Sequence, residues 1–203
     1  MPSLLRFTTT LALSLVAVAG SAAAQIPAQT AATGVWTAVG NSGEVDSAHQ
    51  SLYQTNGTGS VQIKSASTGR IVLRYNASGI PRVFRKAYDP SDDGADPRIQ
   101  MMARLRDTGA GARVVVRLRA LNLDTGALST LAVVDSDNHD ASVGQPEYVG
   151  EYAYLNVDSD FQFDYWRYAY YVEAELWKTS STANPGLMAV QICNPAGACQ
   201  EGI

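Results

Sequence analysis

The chain is poor in the residues that build metal centres and disulfide-rich scaffolds. Its 203 residues include only two cysteines and two histidines, too few for a zinc-finger cage, an iron–sulfur site or a multi-histidine metal centre. A strong positive charge is also lacking, because 15 lysines and arginines stand against 19 aspartates and glutamates, for a formal net charge of −4. We therefore expect no nucleic-acid partner, since such proteins carry a broad basic surface.

Long hydrophobic runs are scarce, and the clearest one lies at the start of the chain. Arg6 precedes an apolar run at 11–20 (LALSLVAVAG), and small residues follow at 21–24 (SAAA). This order, with its Ala-x-Ala pattern, is typical of a secretory signal peptide. The run is shorter than the ~20 residues that span a bilayer. The sequence thus predicts a signal peptide at 1–24, cleavage after Ala24, a secreted or periplasmic location, and no transmembrane helix in the mature chain.

The rest of the chain is predicted to form one domain behind a short lead-in. Residues 25–33 (QIPAQTAAT) are small and polar, which favours a flexible segment, and 34–203 has a length usual for a single β-sandwich domain. Export places Cys193 and Cys199 in an oxidising compartment. The Pro and Gly between them favour a tight turn, so the sequence predicts a structural disulfide between these two cysteines.

Helical periodicity is nearly absent from the mature chain. Short apolar runs alternate with turn residues at intervals of about 8–12 residues, which indicates roughly eight to eleven strands. This pattern predicts an all-β fold, an antiparallel β-sandwich of jelly-roll-like form. In the run 112–120 the even positions are apolar, and the odd positions include Arg113, Arg117 and Arg119. A period of two places the arginines on the outer face of a strand.

A second patterned strand is predicted over 162–178. Its odd positions, Glu173, Glu175 and Trp177 among them, should face outward. Its even positions from 166 to 176 should face the core, and these are Trp166, Tyr168, Tyr170, Val172, Ala174 and Leu176.

The arginine side chains are expected to gather on one face and to need acidic neighbours. The turn residues at 108–111 (TGAG) predict a hairpin that would align Arg104 and Arg106 with the arginines of 112–120. Glu173 and Glu175 are the best partners for this face, as a cross-strand ladder worth about 0.2–1 kcal/mol per pair.

Two Asp-Thr-Gly sequences, at 107–109 and 124–126, resemble the catalytic loop of an aspartic protease in residue identity alone. That chemistry needs two carboxylates about 3 Å apart, and copies this close in one chain cannot be equivalent loops of two lobes. Asp-Thr-Gly is also a common turn, in which Asp binds its own backbone and Gly takes a positive φ. The turn interpretation is preferred.

Residues 135–140 (DSDNHD) alternate oxygen ligands as calcium loops do, with Asp135, Asp137 and Asp140 as the candidate ligands. The run lacks the glycine and the bidentate glutamate of an EF-hand. A structural calcium is one interpretation, and a solvated turn is the preferred one. No other cofactor is indicated.

Glu173 and Glu175 also suggest a polysaccharide hydrolase, because retaining glycosidases place two carboxyl groups about 5–5.5 Å apart. Tyr171 and Trp177 flank the pair, and aromatic rings can stack on sugars. The preferred interpretation of Trp177 is that it packs over the arginine face in a cation–π contact with Arg117 or Arg119.

No catalytic motif stands out, so an enzymatic role is less favoured than a binding role. The leading hypothesis is an exported, non-enzymatic β-sandwich that binds a glycan or an envelope protein. The first alternative is a secreted hydrolase that uses Glu173 and Glu175. The second is a structural subunit of the envelope or matrix, in which residues 25–33 would serve as a donor strand.

Overall fold

The structure, a computed structural model, describes residues 34–77, 80, 99–139, 143–157 and 161–194. Within these residues the chain forms eleven strands and three short 3-10 turns. The strands are β1 (Gly34–Val39), β2 (Glu44–Val45), β3 (Tyr53–Thr55), β4 (Val61–Ile63), β5 (Gly69–Asn76), β6 (Gln100–Arg106), β7 (Ala112–Asn122), β8 (Leu128–Asp135), β9 (Val149–Tyr154), β10 (Tyr168–Lys178) and β11 (Gly186–Asn194). In this described part of the chain, no helix is long and apolar enough to span a bilayer.

The strands form two antiparallel sheets. The six-stranded sheet has the order β3-β4-β11-β6-β9, with β1 also paired to β11, and the five-stranded sheet has the order β2-β5-β10-β7-β8. From β4 to β11, this order gives two interleaved four-stranded sets, 4-11-6-9 and 5-10-7-8, which is the strand order of a jelly roll. The predicted fold class is confirmed. All described strands belong to one compact unit, Ala31–Ile203.

The core lies between the two sheets and follows the alternation of the sequence. The even positions of β7, including Val114, Val116 and Leu118, are buried. The even positions of β10 from Tyr170 to Leu176 are buried as well and meet side chains from the other sheet in one hydrophobic cluster. Successive side chains of a strand point to opposite faces, so the odd positions of both strands lie on the outer face of the sheet.

The predicted hairpin at 108–111 is wrong. β6 pairs with β9 and β11, and β7 pairs with β8 and β10, so the segment between β6 and β7 carries the chain from one sheet to the other. Gly109 and Gly111 take positive φ values of 91° and 89° at this crossing. Arg104 and Arg106 therefore lie on the six-stranded sheet and do not align with the arginines of β7.

The predicted strand 162–178 is correct only from Tyr168 onward. Asp164 accepts backbone hydrogen bonds from Trp166 (3.0 Å) and Arg167 (3.3 Å), which holds 165–167 as a turn. Side-chain acceptors of this kind compete with the sheet for backbone donors. Trp166 is consequently 85% exposed instead of facing the core.

Several predictions fall on residues outside this description. The signal peptide at 1–24 and the segment 25–33 are among them, as are Asp140 and Cys199. Cys193 is fully buried on β11. The disulfide and the cleavage site stay predictions.

Candidate functional site

The outer face of the five-stranded sheet carries a charged array at its centre. Six side chains from three neighbouring strands form it, and we call them the ladder face. They are Arg70 and Arg74 on β5, Arg117 and Arg119 on β7, and Glu173 and Glu175 on β10. β10 lies between β5 and β7, so the glutamates run down the middle with arginines on both sides.

Every carboxylate oxygen of the ladder face has its own guanidinium partner. Glu175 Oε1 lies 2.7 Å from Arg117 Nη1, and its Oε2 lies 3.0 Å from Arg70 Nη2. Glu173 Oε1 lies 3.3 Å from Arg119 Nη2, and its Oε2 lies 3.4 Å from Arg74 Nη2. The predicted cross-strand ladder of glutamates and arginines is confirmed for these residues, with arginines from β5 as an addition that the sequence analysis did not foresee.

The arginines also shield the glutamates from water. Glu173 and Glu175 are each only 8% exposed although they lie on an outer face. A carboxylate so covered is stable when it is paired and hydrogen-bonded. The arginine side chains remain 22–49% exposed, so part of each stays accessible to solvent.

Trp177 ends the row of outward side chains on β10. Its register partners are Arg70 on β5 and Arg113 on β7. The Arg70 guanidinium carbon lies 4.8 Å from the indole centroid, a cation–π geometry. The expected cation–π contact is therefore present, but it comes from Arg70 and not from Arg117 or Arg119. The residue is still 37% exposed.

Tyr171 lies on the same face, at the opposite end of the ladder. It pairs in register with Asn76 and Arg119 and is half-buried. It lies six positions before Trp177, which corresponds to about 20 Å along a strand. The two aromatic residues singled out from the sequence thus flank Glu173 and Glu175 on one continuous surface.

A polar cleft of about 300 Å³ borders the ladder face at the sheet edge. Its lining residues come from β2 and the turn after it, with one arginine of the ladder: Glu44, Val45, Asp46, Ser47, Gln50 and Arg74. The sequence gives no sign of this cleft, because β2 has only two residues and no detectable alternation.

Hydrogen bonds fix the wall of this cleft. The Asp46 amide donates to Val72 O at 3.0 Å, and Asp46 Oδ1 accepts from the Ala48 amide at 3.1 Å. The Ala48 amide holds the pKa of Asp46 below its ordinary value. The buried Tyr75 hydroxyl donates to Gly40 O at 2.7 Å, which ties down the corner between β1 and β2.

The calcium candidates Asp135 and Asp137 bind an arginine. Arg113 Nε lies 3.0 Å from Asp135 Oδ1 and 3.2 Å from Asp137 Oδ2. The hydrogen bond from Arg113 holds the pKa of Asp135 below its ordinary value. Both carboxylates are thus partners of one guanidinium. Among the described residues, no three His, Cys, Asp or Glu side chains are grouped to hold a metal ion.

The two Asp-Thr-Gly sequences are turns at opposite ends of β7, about 35 Å apart. Asp107 Oδ1 accepts from the Gly109 amide at 2.8 Å, as expected for such a turn. In the second copy the side chain that binds the backbone is Asn122, which accepts from the Asp124 amide at 2.9 Å. Gly126 has φ +70°. No protease dyad can form between these aspartates.

Trp166 is the aromatic residue that the sequence analysis assigned to the wrong environment. It lies just before β10, at the end of the strand opposite Trp177. The Leu123 amide of the β7–β8 turn donates to Arg167 O at 2.8 Å and holds the two turns together. The available signal was Asp164, a residue that favours turns.

Comparison with known proteins gives only distant likeness. No protein-family model matches the sequence, and no curated protein matches it. Among solved structures, the chain is similar to a xylan-binding module, CBM15 (12% identity, TM-score 0.37, 85% of this chain and 95% of that one). It is also similar to a family 30 carbohydrate-binding module of a Clostridium thermocellum cellulase (10%, 0.37, 80% and 92%).

A third similar structure is a family two carbohydrate esterase from Cellvibrio japonicus (9% identity, TM-score 0.37, 80% of this chain). This chain spans about a third of that enzyme's length, 34%. Scores this low carry no argument about function. The assignment to the β-sandwich class rests on the strand order of the chain itself.

Proposed function

We propose that this protein is an exported β-sandwich that binds carbohydrate through its ladder face without changing it chemically. The observation that carries the proposal is Trp177. Its indole stays 37% exposed at the end of a face whose centre is formed by the ion pairs of the ladder. Aromatic rings stack on the apolar faces of sugars, while guanidinium groups donate hydrogen bonds to sugar hydroxyls. Tyr171 supplies a second ring on the same surface.

The rigidity of the ladder face supports binding. Arg70 contacts both Trp177 and Glu175, and Arg74 contacts both Glu173 and Asp46. Side chains already held in place lose little conformational entropy when a ligand arrives. A surface of this kind favours recognition of an extended, flat ligand such as a polysaccharide chain.

The hydrolase alternative finds less support in the same geometry. A retaining glycosidase needs one carboxyl group that transfers a proton and another that attacks the sugar. Here all four oxygens of Glu173 and Glu175 face arginine nitrogens. Each of these oxygens therefore already has a cationic partner.

The proposal is tested by a glycan array on the mature protein, followed by affinity measurements with Trp177→Ala. We expect at least one glycan to bind and the substitution to weaken binding about tenfold, which corresponds to about 1.4 kcal/mol. Trp166→Ala is the matched control, since it removes the same ring from the other end of β10 and should leave affinity unchanged.

Three results would count against the proposal. If no glycan on the array binds, the proposal of carbohydrate recognition is wrong. Loss of affinity in Trp166→Ala but not in Trp177→Ala would move the site to the opposite end of the sandwich. Turnover of chromogenic glycosides that disappears in Glu175→Gln would establish the hydrolase instead.

Export is a separate part of the proposal and has its own test. The apolar run at 11–20 and the small residues before Gln25 support it. N-terminal sequencing of the secreted protein should begin at Gln25. Secreted material that begins at Met1 or Pro2 would contradict cleavage after Ala24.

A further inference from the structure

We infer that the cleft beside β2 is a subsite for an uncharged sugar residue of the glycan. This inference rests on the proposed carbohydrate binding at the ladder face and adds a second place of contact to it. The cleft measures about 300 Å³, which is at the lower end of the range for small-molecule sites, about 300–1,000 Å³. Such a volume suits one or two sugar rings.

The lining of the cleft matches the hydrogen-bonding needs of hydroxyl groups. Each sugar hydroxyl both donates and accepts, as serine does. Glu44 and Asp46 offer acceptors, Arg74 offers donors, and the Ser47 hydroxyl and Gln50 amide offer both. An apolar ligand would leave these groups without hydrogen-bond partners, and each unpaired group would reduce the binding free energy.

The charges of the cleft select against acidic sugars. Two carboxylates, those of Glu44 and Asp46, share the site with a single guanidinium, that of Arg74. Arg74 Nη1 lies 3.6 Å from Asp46 Oδ2, and its Nη2 lies 3.4 Å from Glu173 Oε2, so its charge is already balanced. A uronic acid placed here would meet the Glu44 carboxylate with no cation left to offset the repulsion.

Arg74 also makes the cleft continuous with the ladder face. It is one of the lining residues and at the same time an ion-pair partner of Glu173 in the middle of the sheet. In register, Glu44, Arg74 and Glu173 follow one another across β2, β5 and β10. A glycan lying across the strands can therefore contact the cleft and the ladder face together.

The test measures binding of three hexasaccharides by titration calorimetry: cellohexaose, xylohexaose and hexagalacturonic acid. Glu44→Ala and Gln50→Ala remove exposed side chains that line the cleft, so both variants should keep the melting temperature of the wild type. We expect the wild type to bind at least one neutral hexasaccharide and each variant to weaken that binding about fivefold or more. Asp124→Ala, in the distant β7–β8 turn, is the control that should bind like the wild type.

The outcomes separate this inference from the proposed function. If Trp177→Ala weakens binding and both cleft variants do not, the ladder face binds glycan and the cleft inference is wrong. Binding of hexagalacturonic acid in preference to both neutral chains also overturns the inference while carbohydrate binding stands. If the wild type binds none of the three and no glycan on the array, both proposals fail together.

Discussion

The guanidinium of Arg70 lies 4.8 Å from the ring centroid of Trp177 while its Nη2 contacts Glu175 Oε2 at 3.0 Å. One side chain thus connects the exposed indole to the buried carboxylate of the ladder. These residues come from β5 and β10, which are about a hundred positions apart in the sequence. The contact restricts the orientation of the indole, which favours the proposed stacking.

The contact between Arg70 and Trp177 should be measurable as a coupling energy. In a double-mutant cycle with Arg70→Met and Trp177→Ala, we expect a coupling of roughly 0.5–1 kcal/mol, the range for a partly exposed cation–π pair. Urea unfolding of the four proteins at one pH gives this value. Strict additivity of the two substitutions would contradict the contact.

Glu175 should matter more for stability than an ordinary surface glutamate. Glu175→Gln removes the charge that Arg117 and Arg70 share, and we expect the free energy of unfolding to fall by about 1–3 kcal/mol. Asp124→Asn is the control, because Asp124 is exposed in a turn. Equal stability of Glu175→Gln and the wild type would show that the ladder contributes nothing to the fold.

Asp107 should make the protein gain stability on mild acidification. Burial raises the pKa of this carboxyl above its ordinary value, helped by the negative charges of Asp137 and Asp135. The folded state therefore takes up the proton at higher pH than the unfolded state does. As the pH falls toward the ordinary aspartate pKa of about 3.9, the wild type should gain stability relative to Asp107→Asn.

Urea unfolding of both proteins between pH 7 and pH 3.5 measures this difference. The gain should level off below the ordinary pKa, where Asp107 is protonated in the folded and the unfolded states alike. A difference that stays constant across the range would contradict the raised pKa.

Asp135 should show the opposite dependence. The hydrogen bond from Arg113 lowers its pKa in the folded protein, so its contribution to stability is present above the ordinary aspartate pKa. That contribution is lost as the pH falls through the lowered value. The stability difference between the wild type and Asp135→Asn should be largest near neutral pH and shrink below about pH 3.9. If the stability difference between the wild type and Asp135→Asn grew in acid, the lowered pKa of Asp135 would be contradicted.

The two cysteines are expected to be paired in the mature protein. Cys193 is fully buried, and a bridge to Cys199 would close a loop worth roughly 2 kcal/mol of unfolded-state entropy. Thiol titration of the denatured, unreduced protein should detect no thiol, and the reduced sample should give two. Detection of two thiols in the unreduced sample would show that the disulfide is absent.

Local sequence pattern was enough to predict the class of fold and the two faces of the central strands. The alternation in β7 and in the later part of β10 follows from side chains that point to opposite faces at successive positions. It therefore placed Val116 and Val172 in the core and Glu173 on the outer face without any knowledge of partners. The turn at Asp107 was also a local matter, since its side chain binds an amide two residues away.

Only the tertiary structure decided which strands meet. A period of two says that Trp177 faces outward, but the register between β5 and β10 decides that Arg70 is its neighbour. The sequence likewise could not show that β6 and β7 lie in different sheets, because a short glycine-containing segment fits both a hairpin and a crossing.

Lys178 shows the same division between local pattern and tertiary contact. Its even position on β10 directs it inward, and it is almost fully buried there. Its Nζ donates to the backbone carbonyls of Lys64 and Ser65 at 3.0 and 2.8 Å, and burial lowers its pKa. Local periodicity determines the direction of a side chain, but carbonyl groups more than a hundred residues away determine whether a charge can remain there.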